Sequence, residues 1–147
     1  MNIFTDGASK GNPGKAGIGV VAFSKEVSLA EFKESNQTCD FFFAEPIGAQ
    51  TNNFAEYSAF IAALKIAAKK KLGNVNFLLD SELIVKQVNG IYKVKNKNIQ
   101  PLFFEAMELI RPLENIKVSH VRRESNQVAD YLANQAILEQ KVLSYGL

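Results

Sequence analysis

The sequence predicts a single α/β domain in which helices cover a mixed β-sheet. Three observations carry that expectation: strand-forming segments fill the first third of the chain, the apolar period turns helical at Thr51, and strands and helices alternate from there on. The 147 residues, 47% of them hydrophobic, suffice for one continuous core and leave little for a second. The domain is therefore expected to span 1–147, with about 141–147 as a frayed tail.

Residues 2–6, from Asn2 to Asp6, are rich in strand formers and open the domain as a strand. The Gly-, Pro- and Asn-dense segment from Gly7 to Gly17 is expected to be a loop. Ile18 to Phe23 reads as a second strand, and Cys39 to Ile47, with three consecutive phenylalanines, as a third that is buried on both faces. The polar stretch 25–38 between them is a long connection with room for a helical turn. From Thr51 to Lys71, Phe54, Tyr57, Ile61, Leu64 and Ala68 recur at three- and four-residue steps and mark the apolar face of a long helix. Val75 to Asp80 is a short strand, and Ser81 occupies a helix N-cap position ahead of Leu83, Val85 and Val88. Asn98 is expected to cap a further helix carrying Ile99, Leu102, Phe103, Ala106 and Ile110. Asn115 to Val121 alternates like a strand, and a last helix begins near Ser125, with Val128, Ala129, Leu132, Ala133, Ala136 and Ile137 along its inner side.

Lys and Arg total 17 against 15 for Asp and Glu, and a net charge of +2 gives only mild attraction to polyanions. Cys39 is the single cysteine, which excludes an intramolecular disulfide and a cysteine-built zinc site. No basic segment followed by an apolar stretch opens the chain, and no apolar run reaches membrane-spanning length. A monomer in the reducing cytoplasm, with no membrane and no obligatory protein partner, is expected.

Asp6 and Asp80 each end a predicted strand, the position at which open α/β sheets place their sites. If the two strands are parallel neighbours about 5 Å apart, both carboxylates come within reach of one ion. Two such anions repel unless a cation intervenes, and an all-carboxylate set favours hard ions such as Mg²⁺ or Mn²⁺ over zinc. Glu56, in the opening turns of the long helix, and Asp130, beside the small residues Ala129 and Ala133 of the last one, border apolar faces and can lean toward the sheet. Each acid alone has an ordinary explanation, as a turn former or as a helix-start acid favoured by the dipole.

Four segments in order alter that weighting. DGASKGNPG (Asp6 to Gly14), TNNFAEY (Thr51 to Tyr57), DSELIVKQVNG (Asp80 to Gly90) and HVRRESNQVADYLAN (His120 to Asn134) together resemble the successive motifs of the type 1 ribonuclease H family. The resemblance implies a ribonuclease H-like fold, a five-stranded mixed sheet of order 3-2-1-4-5 flanked by helices. It further implies an endoribonuclease that hydrolyses the RNA strand of RNA/DNA hybrids, leaving 5′-phosphate and 3′-hydroxyl ends. Two Mg²⁺ ions, replaceable by Mn²⁺, would be held by Asp6, Glu56 and Asp80, with Asp130 completing one of the two sites.

By the same resemblance Gly11, Asn12, Asn52 and Asn53 match substrate contacts, which must reach the 2′-hydroxyl that distinguishes RNA from DNA. The ordinary alternatives are an Asn turn at Asn12 and helix capping at Asn52 or Asn53. Glu82 stands where bacterial members carry an amide; as a carboxylate it can still accept from a ribose hydroxyl. The segment after Asn89 lacks the long basic handle of bacterial members and resembles the archaeal-like branch, some members of which also cut RNA/RNA duplexes. In that branch an arginine seven residues before the last acid takes the product-release role. Arg123 has this spacing, which leaves His120 as a structural residue. The rival readings are a catalytically weak ribonuclease H-like module that binds nucleic acid or a partner, and another nuclease of the same fold. A dinucleotide site is disfavoured, because Ile18 to Val21 continues as strand where that fingerprint needs a helix.

Overall fold

In the computed structural model, which describes residues 1–147, strands β1 (Asn2–Gly11), β2 (Gly14–Phe23) and β3 (Phe41–Gln50) form an antiparallel meander. The remaining strands are β4 (Asn76–Leu79), β5 (Lys117–His120) and β6 (Leu143–Tyr145). β4 runs parallel to β1, and β5 parallel to β4. The sheet order is β5-β4-β1-β2-β3-β6, so the expected order of five strands is present but the count was one short. The extra strand comes from the residues expected to fray. Tyr145 pairs with Phe42 and stacks on its ring at 6.2 Å, while Lys70 donates to the Gly146 carbonyl at 2.6 Å. Covering β3 in this way removes an exposed sheet edge.

The segment expected to be a loop, Gly7 to Gly17, is mostly hairpin. β1 and β2 pair continuously from Asn2 with Phe23 to Gly11 with Gly14, so that only Asn12 and Pro13 are left for the turn. Gly11, with φ at +118°, lies in the region that favours glycine. Gly7 and Gly17, at the two ends of that segment, lie in strands where helix backbone rests directly on them.

α2 (Asn52–Lys69) packs on one face of the sheet together with α3 (Glu82–Val88) and α4 (Gln100–Ile110). It buries Tyr57, Phe60, Ile61 and Leu64 against Ile3, Val20 and Phe77, each such side chain contributing about 1.5–3 kcal/mol. The opposite face is covered by α1 (Leu29–Glu34) and α5 (Gln127–Glu139), over a smaller core of Val21, Phe42, Val128 and Leu132. α1 is the helical turn allowed for in the 25–38 connection; Ser28 and Glu31 close it with a reciprocal capping box.

Thr51 caps α2 through its hydroxyl at 3.2 Å from the Phe54 N–H, and Ser81 caps α3 at 3.3 Å from the Ile84 N–H. Asn98 does not cap α4. Ile99 occupies the cap position without a side-chain bond, and Pro101 in the first turn has no N–H that needs one. No helix is long and apolar enough to cross a membrane.

Candidate active site

The carboxyl ends of β1 and β4 set the position of the first two acids. Thr5 and Leu79 are register partners in the parallel pair, so Asp6 and Asp80, each one residue further on, stand side by side. Glu56 is brought to them by a close approach of α2 to β1. A Cβ on Gly7 would lie 2.2 Å from the Ala55 carbonyl carbon, so the helix backbone can rest on the strand only because that carbon is missing. The residues joined in this contact are the neighbours of Asp6 and of Glu56. Asp130 arrives from the other face by the same device. Gly19 is the register partner of Asp6, and a Cβ there would lie 2.3 Å from the Ala129 carbonyl oxygen.

Carboxylate oxygens of Asp6, Glu56 and Asp80 lie within 4.8 Å of one another. Asp130, exposed in the first turn of α5, stands outside that group but near enough to act on the Asp6 carboxyl, and it accepts from Asn134 Nδ2 at 3.3 Å. Burial, then the charge of Asp80, then Asp130 and Glu56, push the Asp6 carboxyl up to about 9. Glu56 is pushed up to about 7 by burial and by Asp80, against the opposing pull of a hydrogen bond from Ser81 and of the Arg123 charge. None of the four ion pairs in the protein involves these acids. An all-oxygen set with unneutralised negative charge fits a hard divalent cation. Asp6, Glu56 and Asp80 line a small depression with Thr5, Leu79 and Ser81. A roomier cleft, about 600 Å³, lies elsewhere, over Phe4, Phe23, Leu78 and Val128, and contains none of the four acids.

A sequence family described as Reverse transcriptase-like matches residues 4–136. The RNase H1 of the halophilic archaeon Halobacterium salinarum is similar in structure, with a TM-score of 0.80 at 33% identity over 94% of this chain and 97% of that one. LC11-RNase H1, solved in complex with an RNA/DNA hybrid, gives a TM-score of 0.79 at 36% identity over 95% of this chain and 97% of its own. The chain belongs to the type 1 ribonuclease H family. A bifunctional protein of Mycobacterium tuberculosis is 39% identical over 137 residues, 92% of this chain but only 35% of that protein. The chain thus spans about a third of the length of such relatives.

Of the residues matched to substrate contacts, two are joined directly. Asn12, in the hairpin turn, accepts the backbone N–H of Asn52 at 3.1 Å and so ties the turn, with Gly11, to the start of α2. Capping of α2 falls to Thr51, which leaves the exposed side chains of Asn52 and Asn53 without that task. Glu82 is also exposed, but its carboxylate is engaged by Lys86 at 2.6 Å. Arg123 sits in a short 3₁₀ turn, Arg123–Ser125, and its charge acts on Glu56. His120 ends β5, and its charge acts on Glu82.

One polar residue of the site escaped the sequence reading. Asn126 is 1% exposed, and its Nδ2 donates to Asp80 Oδ2 at 3.1 Å and to the Thr5 carbonyl at 2.9 Å. Its only sequence signal is an asparagine at the start of the last helix, which is indistinguishable from an ordinary cap.

Proposed function

We propose that this chain is an endoribonuclease that hydrolyses the RNA strand of RNA/DNA hybrids. The observation that carries the proposal is the convergence of Asp6, Glu56 and Asp80, none of them in an ion pair, in a fold whose 36%-identical neighbour was solved holding such a hybrid. Asp6, Glu56 and Asp80 are the principal holders of two Mg²⁺ ions, with Mn²⁺ as a substitute, and Asp130 completes one of the two sites. When bound, the ions lower the pKa of water and offset charge on the scissile phosphate.

The chain's own residues supply position and selectivity. Asp6 and Asp80 fix the cluster on rigid strands, and Glu56 closes it from α2. Gly11, Asn12, Asn52 and Asn53 reach the minor groove of the hybrid, where the 2′-hydroxyl marks the RNA strand. Glu82, anchored by Lys86, accepts from a neighbouring ribose hydroxyl. Arg123 offsets charge at the scissile phosphate or on the departing product. Water attacks phosphorus in line and gives up a proton to solvent, the bond to the 3′-oxygen breaks, and that oxygen takes up a proton from solvent. The products carry 5′-phosphate and 3′-hydroxyl ends.

Incubating the protein with end-labelled RNA/DNA, RNA/RNA, DNA/DNA and single-stranded RNA, in Mg²⁺, Mn²⁺ or chelator, tests this reading. Metal-dependent cutting of the hybrid is expected, and cutting of RNA/RNA would extend the substrate range to duplex RNA. A protein that binds the hybrid but leaves it intact in both metals would instead support a binding module.

A further inference from the structure

Asn126 is where three of the four acids are tied together. Its Nδ2 reaches the carbonyl of Thr5, the residue before Asp6, and the Oδ2 atom of Asp80. Its backbone carbonyl accepts the Asp130 N–H at 3.2 Å, which sets the first turn of α5. These partners belong to β1, to the end of β4 and to α5, elements separated by up to 121 positions in the chain. The other end of the same amide is idle: Asn126 Oδ1 is buried and accepts no hydrogen bond. An unpaired buried carbonyl oxygen costs about 1–3 kcal/mol, so stability alone does not account for an amide at this position. Both groups that face Nδ2 are acceptors, and the contribution of the side chain is its two N–H bonds.

We propose that Asn126 is a positioning residue for the metal site, holding the Asp80 carboxylate beside Asp6 and setting the start of α5 so that Asp130 faces the same point. The need for such a tether follows from the charges. Asp6 and Asp80 repel, Asp80 is only partly buried just ahead of the Ser81 cap, and rotation toward water would relieve the repulsion while dispersing the cluster. A neutral donor can hold the carboxylate without neutralising it, whereas a lysine or arginine would displace the cation. The inference rests on the metal-dependent function proposed above.

Calorimetric titration of Mn²⁺ into the wild-type chain, Asn126→Ala and Asn126→Leu tests it. Alanine removes the donor together with the idle oxygen, and leucine fills the space without a polar atom. The Kd for Mn²⁺ is expected to rise about 10- to 100-fold in both variants, the usual loss when a group that orients a ligand is removed. On the hybrid, kcat should fall by a similar factor with KM little changed. A purely structural role would lower Tm and the number of binding-competent molecules while leaving the Kd of the folded fraction unchanged, and a Kd within threefold of wild type in both variants would overturn the inference alone. A wild-type chain that neither binds Mn²⁺ nor cuts the hybrid would bring down the proposed function as well, so the two failures are distinguishable.

Discussion

The strand-borne acids and the helix-borne Asp130 stand near one another under opposite conditions. Asp6 is almost fully buried on a strand in the middle of the sheet, and Asp80 stands directly after the adjacent strand. Asp130 is exposed on the first turn of α5, where its carboxylate accepts from Asn134. The first two cannot retreat from one another without disturbing the parallel pairing of Thr5 with Leu79, whereas Asp130 can change rotamer at little cost. The contrast separates a rigid half of the site, where like charge is imposed by the backbone, from an adjustable half that can follow a ligand as its charge changes.

If that contrast is real, neutralising each half will have unequal consequences. Asp80→Asn or Asp6→Asn should lower kcat on the hybrid about a thousandfold or more, about 4 kcal/mol, because the amide gives up a charge that no neighbour can replace. Asp130→Asn should lose only about 10- to 100-fold, since the remaining three acids still hold the ions. Single-turnover cleavage at saturating Mg²⁺ measures all three. Equal losses would mean that exposure of Asp130 does not make it dispensable, and the contrast would fail.

Arg123 and His120 sharpen the same comparison on the basic side. The charge of Arg123 acts on Glu56 in the rigid cluster, and that of His120 acts on Glu82 at the rim. Arg123→Ala is expected to lower kcat/KM about tenfold, about 1.4 kcal/mol, and His120→Ala to stay within about twofold of wild type. The reverse pattern in steady-state assays would return the product-release role to His120.

The rigid half was also the legible half. Asp6 and Asp80 could be read as strand-terminal acids because β1 and β4 have local apolar patterns and Ser81 is a local helix signal. Glu56 and Asp130 could be placed on inward helix borders by periodicity alone, while the joining of all four into one site depended on the ordered motifs. What stayed illegible depends on contacts between distant residues. Gly7 looks like a loop glycine, and Gly19 like an ordinary strand residue, until Ala55 and Ala129 are seen resting on them. Asn126 looks like a cap until Thr5 and Asp80 are seen beside it. β6 is three residues long and is defined by the edge of β3 rather than by a pattern of its own.

A further effect is expected on stability, and it runs opposite in sign to the effect on activity. In the metal-free protein the Asp6 carboxyl is pushed from 3.8 up to about 9 and that of Glu56 from 4.5 up to about 7. A raised acid keeps its proton in the native state while the unfolded chain has lost it. Stability from these groups is therefore complete below about pH 4, falls as pH rises through the window from about 4 to about 9, and is lowest above it. Thermal unfolding in chelator should show Tm dropping across that window more steeply in wild type than in Asp6→Asn. At pH 8 the variant should unfold about 3–6 °C higher, corresponding to about 1–2 kcal/mol, with the difference vanishing near pH 4. Adding Mg²⁺ should restore the wild-type chain and leave Asp6→Asn nearly unmoved, because the cation takes the place of the proton only where the charge remains. An Asp6→Asn chain less stable than wild type at pH 8 in chelator would show that the buried acids are not held against their repulsion, and the rigid half of the site would lose the property that sets it apart from Asp130.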